Sequence, residues 1–150
     1  MDPALPPDTG PRDRDPEGRA HNDRPRDALG RPLARDATGI DHGVDVDASR
    51  TGAEALAVAQ RLIDDGFPFA AHEVLEARWK QCPPPEKALW QGLAQTCVGL
   101  THLLRGNRTG AERVLARARL TLTEVGAAPS DYRAEAAAAS RCGWRAIRRT

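Results

Sequence analysis

The chain has 150 residues, a formal net charge of +1 and 40% hydrophobic residues, which allows one domain and leaves little room for a second. It contains no run of eighteen apolar residues, which excludes a membrane-spanning helix, and its opening MDPALPPDTGPRDRD lacks the apolar stretch of a secretory signal. The three cysteines, Cys82, Cys97 and Cys142, are widely spaced with no CxxC and read as free thiols, so the expected location is the cytoplasm.

Residues 1–48 read as an arm. Seven of the twelve prolines and five glycines fall in residues 1–50, together with eight Arg and eleven acids. Such a stretch buries too little apolar surface to offset the entropy of ordering, so the arm is expected to be flexible, either disordered or extended. Within it RPRDALGRPLARD, residues 24–36, stands apart. Leu29 and Leu33 flank a Gly-Arg-Pro turn and either lay two apolar side chains on the domain or belong to a solvated linker.

Residues 49–143 are apolar and periodic, and a domain of that size buries roughly 60–65% of its unfolded surface, enough to stand without staples. Thr51-Gly-Ala-Glu54 is a capping-box pattern and opens a first helix, EALAVAQRLIDD, that ends at Gly66. Pro68 suits the first turn of a second helix, through AAHEVLEARWKQC, which Pro83, Pro84 and Pro85 stop. A third helix begins near Pro85 and runs to Gly106. A second capping-box pattern, Thr109-Gly-Ala-Glu112, predicts a fourth helix ending at Gly126, and Ser130 or Asp131 can cap a fifth, YRAEAAAASRC. Residues 144–150 form a basic tail. No strand-like alternation with turn chemistry intervenes.

Placing Gly66 on Gly106, an offset of forty, also aligns Ala71 with Ala111, Val74 with Val114 and Leu75 with Leu115. Each copy reads helix, glycine turn, helix. The expected fold is therefore all-α: a compact bundle of about five helices built from two similar hairpins and a last helix.

The stretch AHEVLEARWK carries the chemistry-bearing residues. Ala71, Val74, Leu75, Trp79 and Cys82 share one apolar arc of the second helix. His72 and Glu76, an i, i+4 pair, border that arc, whereas Glu73 and Lys80 are expected to face water. The third helix is apolar nearly all round except for Gln91, Gln95 and His102, which lie within about forty degrees of one another. Gly92 and Gly99 form a flat strip nearby, where another helix can approach. Buried amides and imidazoles need partners, so the stripe is expected to face His72 and Glu76 in one polar cluster walled by Trp79, with Trp90 as a candidate second wall.

Three functions fit that cluster. In the first it is a satisfied network in a binding or structural module, with a small molecule or a protein as partner. In the second, His72, Glu76 and His102 supply two nitrogens and a carboxylate to a divalent metal such as zinc or iron, as a hydrolase-like enzyme would. The order His-Glu-x-x-Glu departs from the zinc-protease pattern HExxH, because Glu76 stands where a second His belongs. A nucleic-acid role is the third: residues 101–150 carry ten Arg against four acids, and Arg141, Arg145 and Arg148 form a stripe. The chain has no G-x-S-x-G, no Walker loop and no dinucleotide-binding glycine motif.

AHEVLEARWK, LWQGLAQ, GLTHLLRGN and the Gly-Ala at 110–111, in this order between about Ala55 and Leu115, resemble the bacterial and archaeal domain of unknown function family numbered 309. The segment RPRDALGRPL also resembles that of actinobacterial members, although Ala34 stands where proline is expected. The resemblance implies a small all-α bundle. It carries over no catalytic residues, only the signature positions His72, Glu73, Glu76, Trp79, Gln91, Gly92, His102, Gly106 and Asn107.

Overall fold

The computed structural model describes residues 16–18 and 24–126. Four helices follow in chain order: α1 (Gly52–Asp64), α2 (Pro68–Gln81), α3 (Lys87–Leu104) and α4 (Arg108–Gly126), with one 3-10 turn at Pro84–Glu86. Among the described residues there is no strand, only an isolated antiparallel bridge between Arg26 and Pro32. The all-α class therefore holds, with four helices where about five were expected. The fifth, YRAEAAAASRC, and the tail at 144–150 lie outside the described residues.

Local chemistry accounts for the helix ends. Thr51 and Glu54 form the expected capping box: Thr51 N–H donates to the Glu54 carboxylate at 2.8 Å, and Thr51 Oγ1 accepts from Glu54 N–H. Pro68 occupies the first turn of α2, where its missing N–H has no intrahelical acceptor to lose. At α4 the expectation is corrected. The helix starts at Arg108, and Asn107 rather than Thr109 caps it, its Oδ1 accepting from Gly110 N–H at 2.9 Å.

The internal repeat is built from two matching turns. Gly66 and Gly106 both adopt positive φ, 88° and 75°. Gly66 N–H donates to Ile63 O and Phe67 N–H to Leu62 O; likewise Gly106 donates to Leu103 O and Asn107 to His102 O. This pair of bonds is the Schellman arrangement, which needs the left-handed conformation that glycine adopts without strain. The aligned residues Ala71 and Ala111 are both fully buried just beyond their turns.

Consecutive helices pack pairwise, α1 on α2, α2 on α3 and α3 on α4. α3 lies between α2 and α4, which explains why its sequence is apolar on most sides. Trp90, Leu89, Leu93 and Cys97 join Ala71, Val74 and Leu75 of α2 in the core. The glycine strip receives α4: a Cβ at Gly99 would lie 2.5 Å from Leu115 Cγ, and one at Gly92 2.7 Å from Leu122 Cγ. The two leucines, seven residues apart, seat in the two glycine positions.

Residues 24–50 form a strap of turns laid against the helices. Val44 and Val46 pack on the core, and Ser49 Oγ donates to Gln81 Oε1 at 3.1 Å. Leu29 and Leu33 are half-buried, but backbone makes the docking. Arg105, which caps the C-terminus of α3, donates to the Leu29 carbonyl through Nε at 2.8 Å and through Nη2. Gly30, with φ +71°, lies so close to Phe69 of α2 that any side chain there would enter the ring.

Gly99→Ala is expected to lower stability. Overpacking of this kind costs about 1–3 kcal/mol, and helix propensity returns up to about 1 kcal/mol. Urea unfolding of Gly99→Ala, Leu115→Ala and the double variant checks it: the double variant should be more stable than the sum of the single losses predicts. Additive losses would place Leu115 elsewhere than over Gly99.

Candidate functional site

The polar residues singled out in the sequence do not converge. His72 Nε2 and Glu76 Oε2 are 3.5 Å apart on α2, with side chains 22% and 38% exposed, and Glu76 also holds Lys80 Nζ at 3.2 Å. His102 lies at the Gly106 turn instead. Its Nδ1 is 3.1 Å from Asn107 Nδ2, and because Gly110 N–H fixes Asn107 Oδ1 as the acceptor, that amide nitrogen donates to the ring. Gln91 is exposed, and Gln95 meets α4, accepting from Thr121 Oγ1 at 3.5 Å. Trp79 packs on the core edge, with Lys87 Nζ 5.2 Å from its ring centre. The glycine strip beside the stripe is given to α4, so Gln91, Gln95 and His102 turn towards α4 and solvent. Among the described residues no three His, Cys, Asp or Glu side chains gather as metal ligands would, and His72, Glu76 and His102 are no exception.

His72 belongs to a different neighbourhood, the face of α2 beneath the strap. Its ring lies 5.5 Å from that of Phe69, over which Arg26 of the strap places its guanidinium at 5.0 Å. Burial pushes the His72 pKa below its ordinary 6.5, outweighing the opposing pull of Glu76. The ring is therefore neutral near pH 7, and its contact with Glu76 is not a charge pair. Phe69, one turn back, favours the protonated ring through its backbone, yet Nδ1 completes no hydrogen bond.

Glu73 corrects a second expectation. It does not stand free in water but is half-buried under the strap, lining two cavities at once. The first, of about 240 Å³, lies between the strap and the start of α2 and is walled by Arg26, Ile40, His42, Phe67, Phe69 and Glu73 among others. The second, about 220 Å³, lies along α2 with Val46, Asp47, Glu76 and Lys80. Burial raises the Glu73 pKa above the ordinary 4.5; Arg26 opposes the rise, and Asp47 and Glu76 add to it. No hydrogen bond or ion pair within the described residues satisfies its carboxylate. Across the first cavity, His42 presents a ring tilted against Phe67 at 6.2 Å, and its buried Nδ1 likewise has no partner.

Sequence reasoning missed His42, Arg26 and the inward turn of Glu73. A helical wheel relates Glu73 only to its own helix, and nothing local shows that the strap covers the outer face. The basic residues of α4, Arg113, Arg117 and Arg119, are exposed; Arg141, Arg145 and Arg148 lie outside the described residues.

Residues 56–114 match the family model Domain of unknown function (DUF309), the family that the motifs resemble. A curated relative, the uncharacterized protein YpuF of Bacillus subtilis (strain 168), is 45% identical over 49 residues, which is 32% of this chain. That match spans 28% of YpuF's length. No solved structure matches the chain. The matched segment contains the α2 wall of the first cavity, and the strap precedes it.

Two opposite pH responses follow from this face. His72, with its folded pKa depressed, contributes stability that is complete above its ordinary 6.5 and is lost as pH falls below it. Glu73, with its folded pKa raised, contributes stability present below its ordinary 4.5 and lost as pH rises through the folded value. Thermal melts across pH should therefore show an acid-side loss that His72→Gln removes, and a loss at higher pH that Glu73→Gln removes. Profiles unchanged by either substitution would contradict the burial assigned to these groups.

Proposed function

We propose that the protein is a small-molecule binding module whose site is the cavity between the strap and α2. One observation carries this reading: Glu73, half-buried and with no hydrogen bond or ion pair within the described residues, lines this cavity together with His42 and Phe67. Burial raises its pKa, so its carboxylate is incompletely solvated in the free protein. A bound molecule that supplies hydrogen bonds to that carboxylate removes the cost.

The surroundings support this assignment. Phe67, Ile40 and Ala28 provide apolar wall, and a few polar groups converge on it, which is the usual composition of a ligand pocket. At about 30 Å³ for each water-sized group, the volume suits a ligand of roughly eight non-hydrogen atoms. His72 and Glu76 stand beside the site as positioning neighbours of Phe69 and Glu73. Cys82 and Cys97 are buried free thiols, which suits a reducing, cytoplasmic setting. Among the described residues no helix is long and apolar enough to cross a membrane.

Titration with mixtures of small polar-apolar fragments, followed by NMR of the His42, Phe67 and Phe69 side chains, tests the reading. Shifts confined to those rings are expected, and Ala28→Leu, which fills part of the cavity, should abolish them. Equal responses in wild type and Ala28→Leu would remove the cavity as the site.

A further inference from the structure

Resting on the binding reading of this cavity, we propose that its ligand is a small organic cation, a primary ammonium group on an apolar body, with Glu73 as its counter-ion. The polar groups of the cavity differ in what they have left to offer. Asp27 is occupied: its Oδ1 accepts from Leu29 N–H at 2.9 Å and Arg31 N–H at 2.7 Å, and its Oδ2 faces Arg31 Nη1 at 3.8 Å. Arg26 is engaged as well, donating to the Gly30 carbonyl and stacking on Phe69. Glu73 alone of the two carboxylates has all its acceptor capacity free.

The field around Glu73 has the matching sign. Behind it, the second cavity brings Asp47 and Glu76 against Lys80, and Lys80 is already paired with Glu76. Around Glu73, Asp47 and Glu76 face Arg26 and Lys80, while Asp27 is paired with Arg31 and His72 is neutral. The Glu73 carboxylate is the one charge left over. A carboxylate ligand would meet Glu73 without a free cation to receive it, and an alcohol would leave the excess charge in place. An ammonium supplies both the donors and the countercharge, and a charge-assisted bond of this kind is about twice as strong as a neutral one. The ring of Phe67 offers a further favourable face to a cation, and Ile40, Ala28 and Pro25 cover the apolar body.

Binding and protonation are then linked. In the free protein Arg26 from the strap, Asp27 and His42 beside it, Asp47 ahead of α1, and His72, Glu76 and Lys80 of α2 all face the Glu73 region. Because the Glu73 carboxyl titrates above its ordinary 4.5, a cation binds better as pH rises through that titration and displaces a proton where Glu73 is still partly protonated.

Isothermal titration calorimetry with n-butylammonium, 1-butanol and butyrate, three probes of one shape, distinguishes the possibilities on wild type, Glu73→Gln and Ala28→Leu. Butylammonium should bind wild type at least about tenfold more tightly than either other probe, and lose about tenfold on Glu73→Gln, whose melting temperature should be no lower. Its affinity should rise with pH above 4.5 in wild type and stay level in Glu73→Gln. If 1-butanol shifts the His42 and Phe67 resonances as strongly as butylammonium does, the cation inference falls and the cavity reading stands. Unchanged butylammonium affinity in Glu73→Gln also overturns the inference. If none of the three probes binds, the inference fails by itself, and the cavity reading fails only if the fragment mixtures also leave those rings unmoved.

Discussion

The arrangement of the helices depends on one carboxylate. Glu86, in the turn between α2 and α3, accepts from the indole N–H of Trp90 at 2.8 Å and from Arg78 Nη2 at 2.8 Å. Burial alone would raise its pKa, but the bonds from Trp90 and Arg78 outweigh that and hold the carboxyl below the usual range. Among the described residues Trp90 is the largest fully buried side chain, and a buried indole requires an acceptor for its N–H. Arg78 lies 5.4 Å from the Trp90 ring and also reaches the Arg50 carbonyl at 3.5 Å, just ahead of α1, while Gly52 leaves room for the same ring. The start of α1, the end of α2 and the start of α3 are thereby tied at one point. The three prolines at 83–85 make this possible by ending α2 abruptly and returning the chain, so that Glu86 meets Arg78 eight residues back.

That tie fixes the rotation of α2 about its axis, and the site follows from the rotation. With Val74, Leu75 and Ala71 turned to α3, the opposite border carrying Phe69, His72, Glu73 and Glu76 is left for another part of the chain to cover. The strap covers it, and its own clips lie at the far end of the bundle. Arg105 holds the Leu29 carbonyl, and Gly30 rests on Phe69. One wall of the cavity is thus part of a rigid hairpin, and the other hangs on a few backbone hydrogen bonds. Local opening draws on the least stable contacts in a fold, so the strap, rather than α2, is the element expected to open first.

What was legible in the sequence was local or periodic. The Thr51–Glu54 capping box, the glycine turns at 66 and 106 and the close approach at Gly92 and Gly99 each follow from a few residues and the helical repeat. The cap at α4 was misread because Thr109-Gly-Ala-Glu112 imitates a capping box, while Asn107 caps from two residues earlier and meets His102 as well. Periodicity places Gln91, Gln95 and His102 on one face of α3 but is silent on which neighbour takes that face, so the expected convergence with His72 was not found. The strap was the least legible part. Hydrophobicity reports side chains, and the strap docks through a carbonyl and a glycine, groups that leave no mark on an apolar count.

Glu73 shows how stability and function diverge in this fold. The knot at Glu86 demonstrates that the chain can satisfy a buried carboxylate fully, with two donors at 2.8 Å. Glu73 is left without a hydrogen bond; burial raises its pKa, Arg26 opposes the rise, and Asp47 and Glu76 add to it. A structural role would favour glutamine or leucine at this position, because an unpaired, partly buried charge weakens the folded state. The same feature is useful in a binding site, where the penalty carried by the free protein is relieved when a ligand supplies the countercharge. The α2 wall, with Phe67, Phe69 and Glu73, lies within the DUF309 segment, and the strap wall lies outside it. Under the proposed reading, the division places the carboxylate within the matched segment and the covering wall in the strap.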